Sequence, residues 1–256
     1  MIESLKLGWH VVIRNWTVYK KDFLANISPT VADPSLIMVS LGLGLGPLVQ
    51  SVNGMSYLAF LAPGLVASTA LFTSFFESSY GFYVRMTYES VFKAMLTTPI
   101  GVREVVIGEF LWNFLKGAMM SLGVGLVLLA FGLVTNPWIL LVIPLVGGLT
   151  ALPCAALGLL ASSFVKNINQ FQTVYSFLIA PIYFLSGVFF PLETMPAAFR
   201  SIVQISPFSH GVSLMQMLFW NRVNAAGLLW HGGILVAFGV VLGLWSAVRI
   251  RRKLVS

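Results

Sequence analysis

Residues 137–165 contain no Asp, Glu, Lys or Arg, only apolar side chains interrupted by small polar residues, Gly and Pro. A helix needs about 20 such residues to cross the roughly 30 Å hydrocarbon layer. Several other stretches of about 19 residues or more are comparably apolar, which is the length at which an apolar run reads as a membrane span. The composition agrees: 58% of the 256 residues are apolar and 9% are charged, where a soluble domain carries about 25% charged residues. The chain is expected to be an all-α polytopic membrane protein forming one domain over 1–256.

The formal charge of +7 raises nucleic-acid binding as a reading, but the charges are placed for a membrane. Twelve of the fifteen Lys and Arg residues fall in segments that alternate along the chain with uncharged ones. Cytoplasmic loops look like this under the positive-inside rule. The single cysteine, Cys154, lies in an apolar run, so neither a disulfide framework nor a cysteine metal site can form within one chain. The first 30 residues lack the apolar core of a cleaved signal peptide, so the first apolar helix is expected to direct insertion.

The pattern predicts six spans, near 34–52, 57–84, 105–135, 137–165, 170–190 and 225–248. Before them, Leu5, Trp9, Val12, Trp16, Tyr19 and Phe23 recur at alternating steps of four and three. This marks 2–23 as an amphipathic helix lying in the interface, or else packed on a partner. The loops at 53–56 and 136 are uncharged, whereas 85–104 and the "RIRRK" tail are basic. Both termini are therefore expected in the cytoplasm. The segment 191–222 is too polar to cross and falls on the outer side. Pro191, Pro196 and Pro207 divide it into two short helical stretches, with Ser206 as a capping serine before Pro207. An outer re-entrant pair of helices and an ordinary surface loop both fit, and His210 reads as polar lining there. His210 and His231 have no acidic or cysteine partners at metal-ligand spacing, so no metal site is expected. "GVVLG", Gly239 to Gly243, matches the G-x-x-x-G helix-contact pattern only weakly.

"RMTYESVFKAMLTTPIGVRE", residues 85–104, is a polar island between long apolar runs. Tyr88, Val91, Phe92, Met95 and Leu96 share one helical face, with Glu89, Lys93 and Thr97 elsewhere. Thr87 is placed to cap this helix, Glu89 to favour its dipole, and Pro99 to end it. A helix of that length cannot span, so its apolar face should dock on another protein or lie on lipid.

The ordered blocks "VADPSLIMVSLGLGLG", "SYLAFLAPGLVAS", "FFESSYGFYVRMTYESVFKAML", "VVIGEFLWNFLKGA", "FLSGVFFPLETMP" and "PFSHGVSL" resemble the type-2 ABC exporter permeases. Within that family they resemble the nodulation-protein J branch, associated with lipo-oligosaccharide export. The resemblance runs from about Trp9 to the basic tail. It implies a bacterial inner-membrane permease that pairs with a second, identical half in a homodimer, each half resting on a cytoplasmic ABC ATPase subunit. Residues 87–96 would be the coupling helix that enters a cleft of that ATPase, with Tyr88 and Phe92 supplying most of the docking. ATP and Mg²⁺ would sit on the partner, and this chain would hold no cofactor. The residues agree with that division: there is no G-x-x-x-x-G-K-[ST], and no Lys follows a Gly.

Glu77, Glu109 and Lys116 fall within or near spans, where an unpaired charge costs about 3 kcal/mol or more. Glu109, Asn113 and Lys116 form one stripe on the third span. The three charges with Asn113 are candidates for a polar network near a cytoplasmic gate, or for carboxylates resting at headgroup depth. Phe72, Phe75, Phe76, Phe82 and Tyr83 pack, face lipid or line a route for an acyl chain. The expected function is export of an amphipathic lipid-linked or glycolipid-like molecule. A drug or polysaccharide exporter of the same family is the alternative. An ion-coupled secondary transporter would need repeated halves and mid-membrane charges, which the sequence lacks. No catalytic arrangement of the G-x-S-x-G or H-E-x-x-H kind is present.

Overall fold

A computed structural model describes residues 2–46, 48, 49 and 51–255. Among these residues all regular structure is helical, and the one β-bridge joins Val52 to Met55 across a tight turn. Five helical stretches are long and apolar enough to cross a membrane: Glu3–Gly44, Tyr57–Thr87, Val102–Ala130, Ile139–Phe164 and Ala225–Leu254.

The first of these departs from the sequence expectation. Helix α1 (Ile2–Tyr19) passes through a 3-10 turn at Lys20–Asp22 directly into α2 (Phe23–Gly44). The span expected at 34–52 therefore sits in a helix that starts at Phe23 and runs past Pro29 and Pro34. Its expected positions 47 and 50 lie outside the described residues. Proline normally halts a helix because it lacks the N–H for the carbonyl four residues back. For Pro29 that carbonyl belongs to Ala25, and the Ser28 hydroxyl donates to it at 3.2 Å instead.

The expected stripe along α1 also splits. Leu5, Trp9 and Trp16 are exposed, whereas Val12 and Tyr19 are buried with Val11 and Asn15 against α6 (Val102–Ala130). The approach is close: a methyl group on Gly108 of α6 would lie 2.5 Å from the Val11 Cβ and 2.6 Å from the Gly8 carbonyl oxygen. Only glycine leaves room for the two backbones there.

Helix α3 (Tyr57–Phe76) continues through a π-turn, Glu77–Gly81, into α4 (Phe82–Thr87). The short α5 (Val91–Met95) follows, then α6 and α7 (Ile139–Phe164). A methyl on Gly147 of α7 would collide with Ser121 of α6, the close small-residue crossing that membrane helices use. The segment expected to span at 170–190 is helical only to Leu185, as α8 (Gln170–Val174), a second π-turn at Tyr175–Ile179, and α9 (Ala180–Leu185). Helices α10 (Ala197–Ile205) and α11 (Pro207–Phe219) lead to α12 (Ala225–Val255). Gly243 of α12 is buried against the Phe110 ring, and Gly239 approaches Leu152, so the weak glycine pattern marks a real helix contact.

Three apolar cores result among the described residues, the smallest being Val12 and Tyr19 of α1 against Trp112 and Met120 of α6. The largest joins α2, α3, α6, α7, α9, α11 and α12. The second gathers Phe82, Tyr83, Met86, Phe92, Val105, Leu159, Phe171 and Ile250, and it holds the polar island to the helix bundle.

Candidate functional site

At the π-turn the chain brings four charges together. In an uninterrupted α-helix, residues eight apart point about 80° away from each other. The wider π-turn between Glu77 and Arg85 removes part of that offset, and both side chains reach α6. Arg85 donates to Glu77 through Nη1 and to Glu109 Oε2 through Nη2, the latter at 2.7 Å. Lys116 Nζ donates to the other Glu77 oxygen at 2.6 Å. Glu109 is fully buried and takes a further hydrogen bond from Asn15 Nδ2 of α1, at 3.2 Å. The Asn15 amide oxygen accepts from Arg14, whose guanidinium lies 4.0 Å from Glu89. Two carboxylates and two cations leave the cluster neutral, the condition under which buried charge is tolerated.

Of the four polar residues expected to act together, Glu77, Glu109 and Lys116 do meet. Asn113 does not join through its carboxylate neighbour: its amide donates to the Glu109 backbone carbonyl one turn back, at 2.8 Å. The sequence reading missed Arg85, which links the two carboxylates, and missed Asn15. Arg85 lay in a segment read as loop, and Asn15 is brought in only by the packing of α1 on α6.

The polar island differs from the expected helix over 87–96. Thr87 ends α4 rather than capping a new helix, and Tyr88 and Glu89 form the bend. Ser90 takes a left-handed conformation (φ 54°), and only Val91–Met95 is helical, without a side-chain cap. The reason is Phe92. Its ring stacks on Phe82 at 4.5 Å and is buried in the second core, so it folds α5 back on the bundle. Tyr88 is 62% exposed, and Glu89, Lys93, Thr97 and Pro99 are exposed with it. Val91, Met95 and Leu96 are half-buried. Two residues separate Tyr88 from Arg85, so the exposed tip and the buried charges are joined by less than one helical turn.

A cavity of 610 Å³ opens beside the cluster. Phe72, Phe76, Tyr175 and Tyr183 form one wall, with Phe76 stacked on Tyr175 at 5.7 Å. Helix α2 supplies the other wall, with the charged Asp33 on it, and the Glu77–Lys116 pair also lines the space. A second cavity of 310 Å³ shares Glu77, Tyr80 and Lys116 and adds Arg14, Asp22 and Glu89. Of the five aromatics singled out in the sequence, Phe72 and Phe76 face this space, and Phe75, Phe82 and Tyr83 are core.

On the opposite side of the bundle, α11 starts at Pro207 as its sequence suggests, but Ser206 makes no side-chain cap and its buried hydroxyl has no partner among the described residues. His210 is buried in a joint rather than lining a surface. Its Nδ1 meets His231 Nδ1 of α12 at 2.7 Å, and its Nε2 donates to the Gln204 carbonyl at 2.9 Å. Pro191 starts the 3-10 turn Leu192–Thr194. Among the described residues no group of three metal-binding side chains occurs.

The family model described as "ABC-2 type transporter" matches residues 7–220. The chain belongs to the ABC-2 type transporter family. This ABC-2 permease is 32% identical to "Nodulation protein J" of Rhizobium meliloti over 251 residues, covering 96% of this chain and 95% of the relative. It is 33% identical to the protein of the same name from Rhizobium leguminosarum bv. viciae, over 97% of this chain and 95% of the relative. "Inner membrane transport permease YadH" of Escherichia coli is 24% identical over 99% of this chain and 97% of the relative.

Proposed function

We propose that this permease is the membrane half of an ATP-driven exporter that moves an amphipathic, lipid-linked or glycolipid-like molecule out of the bacterial cytoplasmic membrane. The observation that carries this reading is the 610 Å³ cavity, aromatic along one wall and charged at the Glu77–Lys116 pair and at Asp33. An acyl chain fits the aromatic wall, and a polar headgroup fits the Glu77–Lys116 pair. The relatives named Nodulation protein J support the same substrate class.

In this reading Tyr88, Glu89 and Lys93 form the surface that enters the cleft of a separate ABC ATPase, with Thr87, Val91, Phe92, Met95, Leu96 and Pro99 shaping it. ATP binding closes the ATPase pair and displaces the tip. The displacement reaches Arg85 and thereby the contacts between α4 and α6. Access then alternates because the two states differ in these contacts, as any driven switch requires. Two permease copies and two ATPases make the working unit, with both termini cytoplasmic.

Purified alone, the permease is expected to hydrolyse no ATP, and co-expressed with its ATPase to copurify as a complex of two and two. Robust ATP turnover by the isolated chain would end this reading. Orientation has its own check. In a Cys154→Ala background, Ser51→Cys and Thr194→Cys should react with an impermeant thiol reagent from outside intact cells, and Lys93→Cys only after lysis. Labelling of positions 93 and 194 from the same side would contradict the arrangement.

A further inference from the structure

A third opening shares no residue with the two cavities at the charged cluster. It is a groove of 380 Å³ between α6, α7 and α12. Val106, Ile107 and Phe110 of α6, Leu152 of α7, and α12 from Val236 to Ala247 make its walls. Every lining residue is apolar or glycine except Arg103, at one end. Val240 and Leu244 are more than half exposed on its rim, so the groove faces outward from the bundle. Along α12 it covers about 16 Å of helix, close to the depth of one leaflet, about half of the 30 Å hydrocarbon layer.

The charged end carries two exposed guanidinium groups. Arg103 is exposed in the first turn of α6. Arg251 stands one turn beyond Ala247 on the same face of α12 and is exposed too. Neither guanidinium has an ion pair or side-chain hydrogen bond among the described residues. Arg222 and Arg252 are likewise without such a partner among the described residues, but Arg222 lies in the loop before α12, away from the groove lining. The acidic neighbour of Arg103, Glu104, is engaged with the Gly101 backbone N–H at 3.2 Å.

We propose that this groove binds an anionic glycerophospholipid of the leaflet at the Arg103 end. One acyl chain lies between α6 and α12 over Leu152, and the phosphate meets Arg103 with Arg251 beside it. Basic positions at the end of an apolar cleft between membrane helices select anionic headgroups in this way. The one-leaflet length favours a lipid over a partner spanning helix, which needs a face running through both leaflets. The site lies apart from the transport cavity and does not depend on what is exported.

The test uses the full chain in mild detergent, offered equal amounts of phosphatidylglycerol and phosphatidylcholine and read by native mass spectrometry. Wild type should retain phosphatidylglycerol in preference. Arg103→Gln should lower that preference about fivefold, the effect of one basic side chain near a headgroup. Arg222→Gln, an equal charge change in the exposed loop before α12, should leave it unchanged. Val240→Trp, which narrows the groove, should reduce retention of both lipids. Since Arg103 is exposed, its variant should fold normally, and monodisperse elution checks this. An unchanged preference in folded Arg103→Gln overturns the proposal. So does disulfide-linked dimer from Leu244→Cys in a Cys154→Ala background, because the face would then be an interface between copies.

Discussion

Arg85→Met should destabilise the permease by about 3–5 kcal/mol, the cost of breaking a buried ion pair by removing one partner. The buried Glu109 loses its direct cation, and Glu77 keeps only Lys116. Arg85→Met combined with Glu109→Gln should recover much of the loss, because the double variant leaves one carboxylate facing one cation. The energies in such a cluster do not add, and the double-mutant cycle measures the coupling. Denaturant or thermal unfolding in detergent reads it out. Arg85→Lys separates stability from coupling: it keeps the charge but cannot reach both carboxylates with one planar fork. It should fold nearly as wild type yet support reduced export with intact ATPase binding. If Arg85→Met unfolds with the wild-type midpoint, the cluster is not a structural element. If Arg85→Lys exports at the wild-type rate, the cluster does not transmit movement from the exposed tip.

Tyr88→Ala and Phe92→Ala should fail in different ways. Tyr88 is 62% exposed, and its ring meets Tyr83 edge-on at 6.2 Å. Its removal should leave folding intact and weaken ATPase association by about 2 kcal/mol or more, roughly thirtyfold, as loss of an interface anchor does. Phe92 is 1% exposed and stacked on Phe82. Its removal should cost the permease itself about 3–5 kcal/mol through lost burial and a cavity. Glu89→Lys should act with Tyr88→Ala, since it reverses the charge on the exposed tip and places a cation near Arg14. The measurements are copurification with the ATPase, stimulated ATP turnover and permease stability. Full ATPase binding by folded Tyr88→Ala would mean that the tip rests on lipid instead.

This contrast shows what periodicity can and cannot tell. Tyr88, Val91, Phe92, Met95 and Leu96 do share a helical spacing, but spacing records only that a face is apolar. Whether that face meets a partner or the chain's own core depends on Phe82, ten residues earlier, turning toward it. The expected bounds met the same limit at 170–190, where the helix stops at Leu185. The prolines of α2 show the reverse. Proline disfavours a continuing helix, yet α2 runs through Pro29 and Pro34, and a local hydroxyl bond at Ala25 helps it continue.

The sequence alone determined the class of this protein, because hydrocarbon thickness and backbone hydrogen bonding leave an apolar chain of this length no other solution than helices in a membrane. Ordered blocks along the chain were also enough to reach the ABC-2 family. Glu77, Glu109 and Lys116 were visible as charges that must find partners, since each would be costly alone. The partners themselves were decided in three dimensions. Arg85 reaches both carboxylates only through the π-turn, Asn15 arrives with α1, and His210 meets His231 only when α11 packs on α12. Local sequence carries no record of such meetings, because each depends on two segments that are far apart in the chain.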